Sequence, residues 1–273
     1  MTVSSFWDIL FHNHHTMIQR PSILISNDDG IFSEGIAALV HSLSSIADIT
    51  IVAPDSQQSA VGHAITMHRP LRMREVSKDG KFFGYALDGT PADCVKLAIR
   101  TIMSKKPDLV VSGINHGSNT AISVIYSGTV SAATEGTILG IPSFAISLTT
   151  FEPHPDFSVA ADFARKLAQT VLTNGLPAGT LLNVNVPPVP SSEIQGVAVT
   201  RQGRSVWNDE FEARRDPGNK QYFWLKGELV ELDEDEDVDQ RAIVGNKISV
   251  TPIQYDLTNY SALGTIRDWK LQF

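Results

Sequence analysis

The sequence predicts a doubly wound α/β fold with a mostly parallel sheet, and three observations support that fold class. Short apolar runs that are typical of buried strands recur up to about residue 186, and stretches with apolar residues at helical spacing lie between them. Strands that alternate with helices form βαβ units, so the strands should run parallel with helices on both faces. The chain of 273 residues, 42% of them hydrophobic, is long enough to bury the core that such a sheet needs.

The first predicted strand is the apolar run at 23–25, which is short and rich in β-branched residues, as in a strand buried on both faces. A helix should follow from Glu34, because apolar residues recur on one helical face as far as Ile46 and Ser33 can cap its start. Later elements are predicted from the same patterns. Further strands are expected at 48–53, 107–113, 142–148 and 181–186, and further helices at 91–103, 130–139 and 156–173.

Three regions are expected along the chain. Residues 1–20 lack a basic n-region and a cleavage site, so we expect an extension outside the core, non-native or from an upstream start, rather than a secretory signal. Residues 21–186 should form the α/β domain that carries the site. Residues 187–273 show no helical periodicity and should form a smaller β-rich region that caps this domain or reaches a partner subunit.

The net charge of −8 comes from one segment, 228–239, which holds eight acids and no base. Removing these eight from the 30 acids leaves as many acids as the 22 bases, and we expect the acidic segment to be a solvated, mobile loop. The absence of a basic patch argues against a nucleic-acid polymer as partner. No apolar run reaches the length of about 18 residues that a membrane span needs. The single cysteine, Cys94, excludes an internal disulfide and favours the reducing cytoplasm.

Polar loops follow four predicted strands and should converge at the carboxyl edge of the sheet, where open α/β folds bind ligands. The loops contain Asn27, Asp28, Asp29 and Gly30; Ser59 and His63; Asn115, Gly117 and Asn119; and Ser127, Gly128 and Thr129. The last of these loops opens a helix, whose free N–H groups can bind an anion.

Two adjacent aspartates repel each other unless a cation neutralises them, and no Lys or Arg occurs within seven residues of the pair. Two carboxylates, a hydroxyl and an amide oxygen form a hard, all-oxygen set that favours Mg²⁺ or Mn²⁺. A metal beside a helix amino terminus is the combination that phosphoryl chemistry requires.

Six motifs along the chain resemble, in the right order, the SurE family of metal-dependent 5′/3′-nucleotidases. They are ILISNDDGIFSEGI, VAPDSQQSAVGHAIT, GTPADCVKLAI, PDLVVSGINHGSN, YSGTVSAATEGTILGIPSFAISL and VWNDEFEARRDPGNKQYFWLKGE. The resemblance implies hydrolysis of nucleoside monophosphates, one divalent cation per subunit, and a homodimer or homotetramer with an exchanged C-terminal segment. By the same resemblance, the metal ligands would be Asp28, Asp29, Ser59 and Asn115, the first two and Asn115 being catalytic, and the phosphate site would comprise Asn27, Asn119, Ser127, Gly128 and Thr129.

The chain departs from the family pattern in two loops. Many members read DRNRSGASNSLT where this chain reads DSQQSAVGHAIT, so the arginines are missing and any substrate contact they make is not carried over. TAISVIYSGT also replaces the commoner LGDDVLYSGT, which removes two carboxylates near the site entrance.

Two rival functions fit less well. A phosphatase of the haloacid dehalogenase type needs an Asp-x-Asp nucleophile motif, and adjacent aspartates followed by glycine do not match it. A non-catalytic nucleotide-binding module would be expected to carry a GxGxxG or GxxxxGK[ST] motif, and neither occurs.

Several other residue types remain open to two interpretations. His63, His68 and His116 could act as acid or base, although a lone loop histidine is more often packed or solvated. Cys94 lies on the apolar side of a helix and should belong to the core. The aromatic residues of the C-terminal region could stack on a nucleobase or be buried in a subunit interface: Trp207, Phe211, Tyr222, Phe223 and Trp224.

Overall fold

The computed structural model describes residues 20–271 and 273 of the chain. Its strands are β1 Ser22–Ser26, β2 Asp48–Pro54, β3 Met73–Lys78, β4 Lys81–Leu87, β5 Leu109–His116, β6 Ser143–Leu148, β7 Thr180–Val186, β8 Val197–Val199, β9 Ser205–Arg215, β10 Gln221–Glu231 and β11 Ile248–Gln254. Its helices are α1 Glu34–Leu43, α2 Pro91–Leu97, α3 Ser123–Tyr126, α4 Gly128–Ile138, α5 Ser158–Asn174, α6 Asp239–Val244 and α7 Leu263–Asp268.

Nine of these strands form one sheet in the order β3-β4-β2-β1-β5-β6-β7-β11-β8. The six strands from β4 to β7 in this order are parallel to their neighbours, whereas β3 and β11 pair antiparallel at the two flanks. The sheet is therefore doubly wound and mostly parallel, which confirms the predicted fold class.

The core lies on both faces of this sheet. Ile23 and Ile25 of β1 pack with α1 and α5 on one face, and Leu24 packs on the other face with α2 and α4. All three side chains are fully buried, which explains why this strand shows a continuous apolar run instead of alternation. Cys94 is buried in the second cluster, as expected for a core residue.

The predicted strands and helices of the α/β region are confirmed, with ends that shift by a few residues. Ser33 caps α1 by accepting the N–H of Ile36, and Thr90 caps α2 in a capping box with Asp93. The prediction at 91–103 is shorter as an α-helix, because α2 changes into a π-helical turn at Ala98–Ile102.

The region after residue 187 differs from the expectation in two respects. Besides its strands it contains α6 and α7, which the sequence analysis did not find because helices of six residues are too short to show periodicity. It also supplies β8 and β11 to the main sheet, while β9 and β10 pair only with each other in a hairpin of eleven residues per strand.

The acidic segment is only partly the solvated loop that the sequence predicts: residues 232–237 form a loop in which every acid except Asp233 is exposed. Its first acids lie in β10 and its last, Asp239, opens α6. Asp233 is buried and accepts hydrogen bonds from Arg201 at 2.6 Å and from Arg204 at 3.3 Å. Hydrogen bonding to Arg201 lowers the pKa of Asp233. The bases that compensate the segment come from another part of the chain.

Residues 1–19 of the predicted extension lie outside the described residues. Arg20 is described, and its guanidinium donates hydrogen bonds to the carbonyl oxygens of Ser44 and Ala47. Within the described part of the chain, no helix is long and apolar enough to cross a membrane.

Candidate active site

The candidate active site lies where the sheet changes its winding direction. From β1 the chain extends the sheet towards β2 and β4, and from β5 it extends the sheet towards β6 and β7. Neighbouring strands whose loops diverge in this way leave a crevice at their carboxyl ends. A cleft of about 720 Å³ lies there. The predicted site residues that line it are Asp28, Asp29, Ser59, Asn115, Asn119 and Ser127.

Asp28 is buried at the base of this cleft, with 6% of its surface exposed. Burial raises its pKa from the ordinary 3.8 to about 6; hydrogen bonding from Thr129 opposes the rise and the charge of Asp29 adds to it. The Thr129 hydroxyl donates a hydrogen bond to Oδ1 of Asp28. The hydrogen bond from Thr129 thus holds the side chain in place. Its ionisation still costs free energy, because the charged form is buried.

Asp29 is half-buried beside it and accepts the backbone N–H of His116 at 3.1 Å. Burial raises the pKa of Asp29 as well, although the contacts with His116 oppose the rise. Among residues 20–271 and 273, neither carboxylate forms an ion pair with a basic side chain. The pair therefore has an uncompensated charge directed at the cleft.

Asn115 ends β5 with its amide orientation fixed. Its Nδ2 donates to the carbonyl oxygen of Gly117 at 2.8 Å, which leaves Oδ1 as the oxygen that can bind a ligand. The strand reaches this position through a register shift against β6 between Ser112 and Asn115. Gly113 permits the shift because its φ is +134° and a Cβ there would lie 2.3 Å from the carbonyl oxygen of Ile146.

Asn119 is nearly fully buried and tied to the neighbouring strands. Its backbone N–H donates to Oδ1 of Asn185 at 2.8 Å, and its Nδ2 donates to the hydroxyl of Ser147 at 2.9 Å. The amides of Asn183 and Asn185 both donate to its carbonyl oxygen. These bonds fix the loop after β5 on the ends of β6 and β7.

Ser59 is exposed at the rim of the cleft, in the loop between β2 and β3. The loop is pinned on either side of it, because Gln58 N–H donates to the carbonyl oxygen of Asp28 at 2.7 Å and Gly62 N–H to that of Tyr126 at 3.0 Å. His63, one of the acid/base candidates, lies 2.9 Å from a carboxylate oxygen of Glu135. His63 therefore anchors its loop to α4, and it does not belong to the residues that line the cleft.

Glu135 itself is buried and also pairs with Lys96 at 2.6 Å. Its burial would raise its pKa, but the hydrogen bonds from His63 and Lys96 outweigh this effect and the pKa is lowered. The carboxylate therefore stays ionised and joins α4, α2 and the Ser59 loop.

The amino terminus of α4 faces Asp28. Ser127 is its N-cap and accepts the N–H of Val130 at 3.0 Å. Gly128 allows the close approach, since a Cβ there would lie 2.8 Å from the Cβ of Asp28. Thr129 is fully buried and contacts Asp28, and neither it nor Gly128 lines the cleft surface.

Asn27 is also buried behind the surface. Its Nδ2 donates to the carbonyl oxygen of Gly30 at 3.0 Å and to the hydroxyl of Ser33 at 2.8 Å, which shapes the turn that carries the aspartates. The structure thus brings the four proposed metal ligands to one cleft, whereas it places Asn27, Gly128 and Thr129 in the layer beneath them.

One important residue, Asp239, was not found from the sequence. It is fully buried and accepts the backbone N–H groups of Ala121 at 2.9 Å and Gly203 at 3.0 Å. Burial raises its pKa despite these bonds. Gln202 adds a 2.7 Å bond to the carbonyl oxygen of Ala121. Asp239 therefore joins the loop after β5 to the base of the β9–β10 hairpin. The sequence gives no sign of this role, because Asp239 is one of eight acids in the same segment.

Two further walls of the cleft were also missed. Phe151, in the loop after β6, lies against Gly117, where a Cβ would be 2.7 Å from its ring. The β9–β10 hairpin contributes Trp207, Asp209 and Leu225 to the lining of the cleft. The sequence analysis considered Trp207 for stacking on a base. It could not identify Phe151, because a single phenylalanine in a loop belongs to no recognisable motif.

The residues present fit a hard divalent cation. Within the described residues, no group of three or more His, Cys, Asp or Glu side chains is placed to hold a metal. A cation at this cleft would therefore be held by the two aspartates together with neutral oxygens, which Asn115 and Ser59 offer. Such a set suits Mg²⁺ or Mn²⁺ better than zinc.

Fold and cleft together define the class of protein: a doubly wound α/β protein with a paired-carboxylate, oxygen-rich site at the switch point of its sheet. The family model described as "Survival protein SurE" matches residues 23–209. The chain belongs to the SurE family.

Curated relatives cover nearly the whole chain. A protein of Chlorobium luteolum named 5′-nucleotidase SurE is 50% identical over 254 residues, which is 93% of this chain and 98% of the relative. One of the same name from Syntrophobacter fumaroxidans is 49% identical over 249 residues, or 91% and 99%. The crystal structure of the SurE protein from Aquifex aeolicus matches with a TM-score of 0.80 and 43% identity, over 92% of this chain and 100% of that one.

Proposed function

We propose that this protein is a metal-dependent nucleotidase that hydrolyses nucleoside 5′- and 3′-monophosphates to nucleoside and phosphate. The observation that carries the proposal is the uncompensated pair Asp28 and Asp29, which shares one cleft with Asn115 and the amino terminus of α4. The names of the curated relatives support the same activity.

One Mg²⁺ or Mn²⁺ per subunit is proposed as cofactor, with Asp28, Asp29, Ser59 and Asn115 as its ligands. When bound, the cation supplies Lewis-acid stabilisation of the charge on the phosphoryl oxygens. The protein contributes orientation: Thr129 holds the carboxylate of Asp28, and the Gly117 carbonyl holds the amide of Asn115. A water molecule and the phosphate can then meet in fixed positions.

The phosphate is proposed to bind at the start of α4, near Asn119 and Ser127. The first N–H groups of a helix and its dipole attract a dianion without a basic side chain. Of the five proposed residues, Asn119 and Ser127 line the cleft, so we assign direct contacts to them. Asn27, Gly128 and Thr129 lie behind and would act by shaping the turn and the helix start.

Metal dependence is tested with the full chain and a panel of nucleoside monophosphates, each assayed with EDTA, Mg²⁺ or Mn²⁺. We expect turnover to vanish with EDTA and to return with either metal, because the ionised aspartate pair cannot bind a phosphate dianion unaided. Inorganic phosphate and vanadate should inhibit the metal-loaded protein competitively, with an affinity that depends on the bound metal. Full turnover by the dialysed, metal-free protein would contradict the proposed mechanism.

We also infer a homodimer or homotetramer in which the region 187–273 contacts another subunit. Large apolar side chains of this region are exposed, including Phe223 at 58%, Trp224 at 56% and Trp269 at 63%. Large apolar side chains that are exposed together, as Phe211, Phe223 and Leu225 are on one face of the β9–β10 hairpin, are typical of an interaction surface. Sedimentation of the full chain should show the oligomer at micromolar concentration, and a monomer would refute this part of the proposal.

The division into an α/β domain at 21–186 and a C-terminal assembly region remains a proposal, since β8 and β11 extend the same sheet as the first region. A cytoplasmic location is proposed too, supported by the single cysteine of the chain.

A further inference from the structure

Strand β7 contains two asparagines, Asn183 and Asn185, although it lies inside the main sheet between β6 and β11. Both side chains are fully buried. They share one face of the strand with Leu181, which packs with Val130 and Ala133 of α4. Asparagine is uncommon in strands, and its amide must find hydrogen-bond partners when it is buried. These two side chains therefore need a reason other than packing.

Both amides are directed at the backbone of Asn119, the proposed phosphate contact in the loop after β5. Asn185 accepts the N–H of Asn119 at 2.8 Å through Oδ1 and donates to its carbonyl oxygen at 3.0 Å through Nδ2. Asn185 thus satisfies both backbone groups of this loop residue by itself. Asn183 adds a second donor to the same carbonyl oxygen at 2.7 Å. Because a carbonyl oxygen has two lone pairs, the two donors together fix the direction of this peptide group as well as its position.

The hydrogen bond from Asn183 is not needed to satisfy the backbone of the loop, because Asn185 already does so. The Oδ1 atom of Asn183 is itself buried and has no hydrogen-bond partner among the residues that the structure describes. A buried acceptor without a partner destabilises a protein, and a leucine, which has the same branched shape, would avoid this effect. The asparagine is therefore unfavourable for stability, and what it adds is the fixed orientation of Asn119.

The orientation of this backbone determines where the Asn119 side chain points. Its Nδ2 donates one hydrogen to the hydroxyl of Ser147 at 2.9 Å, and the second hydrogen of the amide can serve a ligand in the cleft that Asn119 lines. Ser147 of β6 is the register neighbour of Asn185 and also of Asn115, the proposed metal ligand on β5. Three adjacent strands thus fix the amide of Asn119 relative to that of Asn115.

We propose that Asn183 and Asn185 are positioning residues for the phosphate group: they hold the backbone of Asn119 so that its Nδ2 donates to a phosphate oxygen. This inference rests on the proposed function, because it deepens the assignment of Asn119 to the phosphate site. Both asparagines lie behind the cleft surface, so they act through Asn119 and do not touch the substrate. A donor that is already oriented loses less freedom when the anion binds, and the affinity for phosphate is higher for that reason.

Two variants separate positioning from stability. Asn183→Leu removes the bond to Asn119 together with the unpaired Oδ1, so it should unfold at the temperature of the wild type or higher; a clearly lower Tm would show that the asparagine serves the fold and would overturn the inference. Thr251→Val is the matched control. Thr251 lies directly opposite Asn183 on β11, is 1% exposed and is 2.7 Å from the hydroxyl of Thr200. This variant removes a buried hydrogen bond that does not involve Asn119, and its Tm should fall by a few degrees.

The experiment measures the binding of inorganic phosphate by calorimetry and the hydrolysis of adenosine 5′-monophosphate, both with the full chain and saturating Mn²⁺. Asn183→Leu should raise the Kd for phosphate and the KM for the nucleotide by about 2- to 10-fold, which corresponds to one hydrogen bond, while kcat is kept. Thr251→Val should keep both constants despite its lower stability. The inference would be overturned by constants that are unchanged in Asn183→Leu or raised equally in both variants, or by a lower kcat with an unchanged KM.

Asn185→Leu is the second test, because it also leaves the N–H of Asn119 without its acceptor. Its Tm should fall, and its Kd for phosphate should rise more than in Asn183→Leu; an affinity equal to that of the wild type would refute the role of Asn185. Phosphate binding also distinguishes this inference from the proposed function. Tighter binding by the wild type than by Asn183→Leu, without hydrolysis of any nucleotide, would support the positioning role and refute the nucleotidase activity. Normal hydrolysis with equal phosphate affinity in all proteins would refute the positioning role alone.

Discussion

Asp28→Asn should abolish activity and yet stabilise the metal-free protein. Burial raises the pKa of Asp28 from 3.8 to about 6, with the repulsion from Asp29 adding to it. The folded protein therefore holds this proton more tightly than the unfolded chain does. As the pH rises from about 4 to about 6, the folded state loses stability relative to the unfolded state, because it must then accommodate a buried charge.

The size of this effect follows from the shift. A rise of the pKa from 3.8 to about 6 costs the folded, metal-free protein about 3 kcal/mol at pH 8. Asparagine removes the charge and still offers an oxygen to Thr129, although a neutral acceptor forms a hydrogen bond that is weaker by about 1 kcal/mol. The net gain of about 2 kcal/mol corresponds to a Tm increase of about 4–8 °C in a chain of this size.

The assay is thermal unfolding in EDTA at one protein concentration, at pH 8 and pH 5. The advantage of Asp28→Asn should shrink by at least half at pH 5, where Asp28 of the wild type is largely protonated. Added Mn²⁺ should raise the Tm of the wild type but not that of the variant. Asp162→Asn, at an exposed position of α5, is the control and should change little. A variant less stable than the wild type at pH 8, or an advantage independent of pH, would refute the reasoning.

The α/β region could be predicted because its local sequence reports its burial. β1 and α1 carry apolar residues that face the two core clusters, so the spacing of apolar residues along the sequence matches the pattern of burial. β9 and β10 could not be predicted as a long hairpin, since nearly all their side chains are exposed and no alternation arises. The same holds for β3, in which Val76 is the one buried side chain.

The meeting of Asp28, Asp29 and Asn115 in one cleft was predictable from topology, because parallel strands present their carboxyl ends at one edge. Which of the candidate residues reach the cleft surface and which are buried behind it could not be predicted. The sequence cannot show that Asn27 turns back into its own loop or that Thr129 contacts Asp28. Such contacts depend on how closely α4 approaches β1, which is set by packing at long range.

The remaining predictions concern residues that position the site. Asp239→Asn leaves one of two buried backbone N–H groups without an acceptor, which should destabilise the protein by about 1.5–3 kcal/mol in unfolding assays and lower kcat. Glu236→Gln, at an exposed position of the same segment, should change neither. Gly128→Ala should lower turnover strongly in steady-state kinetics because its Cβ would displace Asp28; near-normal turnover would contradict the close approach. Glu135→Gln removes the charge that anchors the loop carrying the proposed serine ligand, so that loop should loosen. We therefore expect the half-saturating Mn²⁺ concentration to rise several-fold while kcat at saturating metal is kept, because the metal, once bound, restores the loop position. A fall in kcat at saturating Mn²⁺ with an unchanged metal requirement would show that this carboxylate acts on the chemistry and not on metal binding.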